Sequence, residues 1–306
     1  MNFIIMVHME HTTINGGTTC EFEMARRIFE NGYPVKIYYP YGSITSGIYD
    51  NYATLEDVND DTVAIYCAHR FGNPLNAKRV VRWVAYGLDK YFYDTFNDTD
   101  IIYYHFPFCK NNLLANQKLF SCFLSPEAKN MNLTRVHKLC YIIKKGYKFW
   151  KTITRRDTNT LPHNIFFNDQ SILDKPINLE GQTFTQLDHI QLFNKTTYFY
   201  CYDPCCFLVI IALLCGCIVI QDPVDGYTEE EWMYACGVPT RLKGFAYGIE
   251  NLKYAEDTIQ NAYGPCMELV NQSDVSIKQF LYDMKHYTYN MNKCYAYSES
   301  PCAFMF

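Results

Sequence analysis

The feature that most constrains this chain is an alternation of short apolar runs with amphipathic segments. Phe3–Val7 is an apolar run of strand length, suited to burial on both faces. A polar loop from His11 to Thr19 follows. Then Phe22, Ala25, Ile28 and Phe29 recur at helical spacing, with Glu21, Glu23, Arg26 and Arg27 elsewhere on the cylinder. Gly32 stops that helix, and Val35–Tyr39 is the next strand. Thr62–Cys67 reads as a strand, Ala77–Tyr86 as a helix entered through Asn73-Pro74, and Ile101–His105 as another strand. Such alternation implies parallel strands joined by right-handed crossovers, an open doubly wound α/β sheet.

The polar stretch from Ser121 to Arg135, which contains Pro126, reads as a linker, and the alternation resumes beyond it. Leu139–Ile143, Thr197–Tyr202 and Cys217–Ile220 read as strands. Phe207–Leu214, Tyr227–Tyr234, Asn251–Asn261 and Ile277–Tyr287 read as helices. At roughly 100–200 residues per domain, a chain of 306 residues holds two domains. The expected division is 1–125, 136–275 and a helical tail, 276–306.

Composition removes several function classes. Hydrophobic residues at 49% and charged residues at 19% supply a core and argue against long disorder. A net charge of −5 lacks the basic excess of a nucleic-acid binder, so no nucleic-acid partner is expected. The 14 cysteines lie in apolar runs rather than in spaced loops, which suits reduced thiols in the cytoplasm. Met1 to His8 has no basic n-region and no cleavage site, so it reads as a strand and not a signal peptide. The run Cys205–Ile220 is shorter than the roughly 20 residues of a membrane span. It contains Gly216 and lies between Asp203-Pro204 and Asp222-Pro223, so no transmembrane segment is expected.

Four segments carry candidate chemistry. Asn15-Gly16-Gly17 sits between the first strand and the first helix, where a backbone can approach an anion; it is equally a tight turn. Lys144-Lys145-Gly146 ends a strand, and open α/β sheets bind ligands at strand carboxyl ends, though a lysine pair alone is a solvated turn. Tyr202-Asp203-Pro204 ends another strand just before a helix, so Asp203 either caps that helix or accepts from ligand hydroxyls. Gly72-Asn73-Pro74 leads into a helix carrying Lys78, Arg79 and Arg82, a solvated basic face that brings Asn73 or Asn76 to a cleft. Competing chemistries lack their motifs. His8 with His11, and Cys215 with Cys217, have no partners at zinc-site spacing. No nucleophile elbow and no phosphate loop occurs.

In order and spacing these segments resemble the GT-B glycosyltransferases, built from two facing Rossmann-like domains. The style is that of short members in giant viruses and bacterial surface-polysaccharide clusters, and the likeness runs from Met1 to Ala262. Asn15-Gly16-Gly17 and Ala25 through Val35 match the N-terminal glycine-rich loop and helix. Asp203 through Gly216 matches the donor-binding segment, with Asp203 in place of a first glutamate and Ala212 and Cys215-Gly216 in register. Two positions depart: Ile211 stands where a second glutamate holds the donor ribose, and Cys140 stands where an arginine precedes the Lys-Gly.

The resemblance implies two Rossmann-like doubly wound domains facing across a cleft, and transfer of a sugar from a nucleotide-diphosphate donor to a glycan or other hydroxyl acceptor. Lys144, Lys145, Asp203, Pro204 and Phe207 would bind the donor, with Lys148 another cation within reach. The acceptor would lie near Gly16, Gly17, Asn73 and His105. Glu10, His11 and His105 are the alternatives for a catalytic base if the reaction inverts. No metal and no cofactor beyond the nucleotide sugar is expected. The expected location is the cytoplasm, that of the host for a viral protein. The alternative is a degenerate GT-B domain that binds a glycan or nucleotide without catalysis, prompted by Ile211 and Cys140.

Overall fold

Two parallel sheets organise the chain. The computed structural model describes residues 1–7, 16–40, 45–67, 70–85, 94–107, 117–143, 176–179, 182 and 184–286. The chain divides into two units, Met1–Phe123 with Val270–Phe306, and Leu124–Leu269. Against the expected division, the segment after Phe123 goes with the second unit and the chain from Val270 goes with the first.

The first unit holds β1 (Asn2–Met6), β2 (Val35–Tyr38), β3 (Thr62–Cys67), β4 (Arg79–Val84), β5 (Ile101–Tyr104) and β6 (Gln117–Lys118). All are parallel, in the order β2-β1-β3-β4-β5-β6. Helix α1 (Gly16–Glu30) connects β1 to β2. Phe22, Met24, Ala25 and Ile28 of α1 join Phe3, Ile5, Val35, Val63 and Val81 in one buried cluster. The final helix, Tyr263–His286, adds Ile277, Phe280, Leu281 and Met284 to it. Phe280 packs on Phe3 at 5.7 Å and edge-on against Tyr103 at 5.1 Å. Hydrogen bonds fix its register: Ser276 Oγ accepts from the Phe120 N–H at 2.7 Å, and Lys118 donates to Gln272 at 2.7 Å.

Three sequence expectations for this unit need correction. The helix expected over Ala77–Tyr86 is strand β4. Its Val-Val and Trp residues favour a pleated strand, and Val80, Val81, Trp83 and Val84 are all buried. The supposed solvated basic face is not one face: Lys78 is exposed, whereas Arg82 is fully buried. Glu21 and Glu23, placed on the outer side of α1, are both buried. Glu23 is neutralised there by Arg26 and Arg27, each at 2.6 Å, while Phe29, counted with the apolar stripe, is 58% exposed.

The second unit holds β7 (His137–Ile142), β8 (Ile177–Asn178), β9 (Thr196–Cys201), β10 (Ile218–Gln221) and β11 (Phe245–Tyr247), all parallel, in the order β11-β10-β9-β7-β8. Among the described residues α2 (Gln186–Asn194), α3 (Leu208–Leu214), α4 (Glu229–Ala235) and α5 (Leu252–Thr258) accompany them. The terminal helix Tyr263–His286 is thus α6. The apolar run Cys205–Ile220 resolves into α3 and β10, buried against the sheet. Among the described residues no helix is long and apolar enough to cross a membrane. Between α3 and β10, Gly216 takes φ +76°, and a Cβ there would lie 2.6 Å from the Asn130 side chain and 2.7 Å from Arg135. Arg135 closes that turn by donating to the Cys215 carbonyl at 2.7 Å.

Counted within each unit, the first sheet runs 2-1-3-4-5-6 and the second 2-1-3-4-5. The first strand sends the chain to one side and the third strand takes it to the other. The order therefore reverses between β1 and β3 in the first unit, and between β7 and β9 in the second. In open α/β sheets a ligand crevice lies outside the carboxyl ends of such a strand pair.

Candidate active site

In the first unit, the segments following β1 and β3 flank the reversal. Gly16 and Gly17 are the first residues of α1 and are exposed. Glu10 and His11, candidates for a base, lie outside the described residues. Glu21, in the second turn of α1, is 3% exposed. Burial pushes its carboxyl from 4.5 up to about 8, with the Arg70 charge pulling back in part. Arg70 belongs to the segment after β3, and its carbonyl accepts from Arg82 at 2.9 Å.

Two expected acceptor-side residues have structural employment. The Asn73 carboxamide accepts from the Tyr66 hydroxyl at 2.7 Å and donates to the Ala77 carbonyl at 2.8 Å. It therefore builds the turn into β4. His105 follows β5 and is 5% exposed. Its ring meets Trp83 edge-on at 5.1 Å and stacks on Phe120 at 4.9 Å. Trp83 is pinned in turn by its indole N–H, which donates to the Leu119 carbonyl at 2.8 Å.

In the second unit, β7 and β9 pair in register from His137 opposite Thr196 to Ile142 opposite Cys201. The Tyr202 N–H donates to the Ile142 carbonyl at 2.9 Å, so pairing continues to the brink of Asp203. Lys144, Lys145 and Lys148 lie outside the described residues, but Lys144 follows directly on Ile143, the residue after β7. Asp203 is 2% exposed, and its Oδ1 accepts from the Cys205 N–H at 3.3 Å. It organises its own turn rather than capping the helix, because α3 begins only at Leu208, after Phe207, with no side-chain cap. The Pro204 carbonyl accepts from the Trp232 indole at 2.7 Å, and the Asp203 carbonyl accepts from the Gln221 amide at 3.2 Å. Phe207 is half-buried, and its carbonyl accepts from Ile210 at 3.0 Å in the first turn of α3.

The two departures from the resemblance both point inward. Ile211 is 1% exposed on the inner face of α3, and Cys140 is wholly buried in β7 with its thiol pushed up by burial. Both side chains are packed in the interior of the second unit.

Sequence reasoning missed Glu21, Arg70 and Asp100 in the first unit and Gln221, Asp222 and Glu250 in the second. Gln221 and Asp222 were open to a simple signal, since they end the apolar run of β10 as Asp203 ends that of β9. Asp222 accepts from the buried Tyr200 hydroxyl at 2.9 Å, and that phenol is pushed up by burial and by the Asp222 charge. Glu250 folds its carboxylate over Gly248 so closely that a Cβ there would stand 2.1 Å from Oε1, at φ +83°. The second unit thus gathers carboxylates and an amide at strand ends, groups that accept from hydroxyls. The first gathers a guanidinium and a carboxylic acid, groups that donate.

No family model matches the chain, and no curated protein matches it. Solved structures do. A glycosyltransferase from Rickettsia africae ESF-5 is 11% identical with a TM-score of 0.48, over 93% of this chain and 98% of that one. T4 phage BGT, solved with its UDP-glucose substrate, is 10% identical with a TM-score of 0.46, over 93% and 96%. An alpha-glucosyltransferase solved with UDP and a 13-mer DNA is 12% identical with a TM-score of 0.41, over 92% and 95%.

Proposed function

We propose that this chain is a glycosyltransferase that moves a sugar from a nucleotide-diphosphate donor to a hydroxyl acceptor. One observation carries the reading. In the second unit the two segments that resemble donor-binding motifs, Lys144-Lys145 and Asp203-Pro204, follow β7 and β9, the strands on either side of the reversal. That is where open α/β sheets hold nucleotides.

The chemistry fits the residue types. The leaving nucleoside diphosphate gains negative charge as the glycosidic bond breaks, and stabilising that charge is the main electrostatic task. Lys144 and Lys145 would supply the cations and Asp203 would accept from donor hydroxyls. The reaction in this reading needs no metal, so excess EDTA should leave turnover unchanged.

A second reading has its own support. Ile211 and Cys140 are both core residues, so the acid and the cation expected there are not supplied from those positions. A domain that binds nucleotide or glycan without transfer fits that loss.

The test is a thermal-shift panel of UDP-, GDP-, dTDP- and CMP-linked sugars, followed by assay of nucleoside diphosphate release. A ligand at a hundred times its Kd stabilises by about 2.7 kcal/mol. Acceptors offered should include glycans and DNA duplexes, since net charge alone does not describe a local surface. Binding with release supports the transferase, binding without release supports the second reading, and no binding rejects both as nucleotide-sugar proteins.

A further inference from the structure

Arg70 and Glu21 come from the segments after β3 and β1, the two strands that flank the reversal of the first sheet. The Arg70 backbone is fixed. Its carbonyl accepts from Arg82, which also donates to the Gly72 carbonyl at 2.6 Å and pairs with buried Asp100. The Arg70 side chain is held differently. Its Nε and Nη2 are buried, and neither has a hydrogen-bond partner among the described residues.

Those two nitrogens share one edge of the guanidinium, so their N–H bonds run side by side. That edge meets a carboxylate or phosphate through two parallel hydrogen bonds. Leaving such buried donors unmade is costly, and each case calls for a reason. Glu21 does not supply the missing acceptor, since it bonds to neither nitrogen although it feels the Arg70 charge. Burial pushes its carboxyl up to about 8, so it holds a proton at neutral pH. Among the described residues, the Cys20 thiol feels the Glu21 charge and the Tyr66 phenol feels the Arg70, Arg82 and Asp100 charges; burial pushes both groups up.

We propose that the Nε–Nη2 edge of Arg70 binds an oxyanionic group, a carboxylate or a phosphate monoester, carried by the sugar acceptor. The assignment to the acceptor rests on the glycosyl-transfer reading; the anion site itself rests on the side chains.

Isothermal titration with D-glucuronate, glucose 6-phosphate and neutral glucose, at matched ionic strength, tests it. Wild type should bind one or both anionic sugars and not glucose, and which one it takes identifies the oxyanion. Arg70→Gln should weaken that binding at least tenfold. Arg70→Lys, which keeps the charge but not the parallel donors, should also weaken it, and covers the case that Arg70→Gln fails to fold. Glu21→Gln should bind at pH 7 and lose the weakening that wild type shows above pH 8. Equal affinity in wild type and the Arg70 variants, or no anion binding by wild type, overturns the site. If the Arg70 variants lose nucleotide-sugar binding and keep the anionic sugar, the ligand is the donor diphosphate and the acceptor assignment falls. Anion binding by a wild type that binds no nucleotide sugar overturns the function reading and leaves the site standing.

Discussion

Arg82 Nε lies 2.7 Å from Asp100 Oδ2, and the two side chains are 0% and 1% exposed. Nη1 and Nη2 of Arg82 donate to the Arg70 and Gly72 carbonyls, and its guanidinium lies 5.0 Å from the Tyr66 ring and 5.0 Å from the Phe96 ring. Asp100 also accepts from the Asn97 N–H at 3.2 Å. One buried ion pair therefore ties the β3–β4 connection to the start of β5 and sets where Arg70 stands.

Removing one partner leaves the other charge buried and uncompensated, which costs about 3–5 kcal/mol. Arg82→Met should lower the urea midpoint accordingly and weaken anionic-sugar binding in the fraction that folds. A loss under 1 kcal/mol in equilibrium unfolding would mean that solvent reaches Asp100.

Trp232 tests the donor loop. Its indole donates to the Pro204 carbonyl at 2.7 Å, and its ring stacks on Phe245 at 5.0 Å. Trp232→Phe keeps an aromatic ring against Phe245 and deletes the hydrogen bond, a net loss of about 1 kcal/mol on top of the cavity left by the smaller ring. We expect a Tm lower by a few degrees and nucleotide-sugar affinity several-fold weaker, because the Asp203-Pro204 turn loses the shortest of the hydrogen bonds that hold its carbonyls. Unchanged affinity by titration calorimetry would remove that turn from the donor site.

The strands legible in the sequence were those with their own signal. Phe3–Val7, Val35–Tyr39 and Thr62–Cys67 are apolar runs bounded by turn residues, and each lies within a residue of its observed strand. Arg79–Val84 was misread because its charges suggest a wet helix face, and the partner that lets Arg82 be buried stands 18 residues away. Gln117–Lys118 and Ile177–Asn178 are two residues each, too short for any period to show. The same contrast runs through the site. Asp203 and Pro204 are visible as an acid and a turn residue ending an apolar run. Glu21 looked like an outer-face charge, since its burial depends on tertiary packing that no local pattern carries.

Ile211 separates the family resemblance from the packing of this chain. It is 1% exposed within α3. Ile211→Ala should cost about 2–5 kcal/mol through the cavity it leaves. Ile211→Glu, which would install the acid of the resemblance, should cost more, because it buries an unpaired charge. Comparing Tm and donor affinity of the two variants decides the matter. A Glu variant with wild-type Tm and tighter donor binding would show that this position faces the ligand.

Glu21 should make stability fall with pH in a defined window. Its folded-state pKa of about 8 lies above the ordinary 4.5, so between those values the native chain holds a proton that the unfolded chain has released. The slope of unfolding free energy with pH is then negative. The contribution is fully present below about pH 4.5, declines as pH rises, and is gone above about pH 8. The whole window corresponds to on the order of 4–5 kcal/mol. Glu21→Gln mimics the neutral acid at every pH and cannot release the proton. Its Tm should therefore match wild type near pH 4 and exceed it progressively toward pH 9. Parallel curves over that range would mean that Glu21 is ionised in the native state, most simply by closing onto the Arg70 guanidinium, and would leave anion binding without its titrating group.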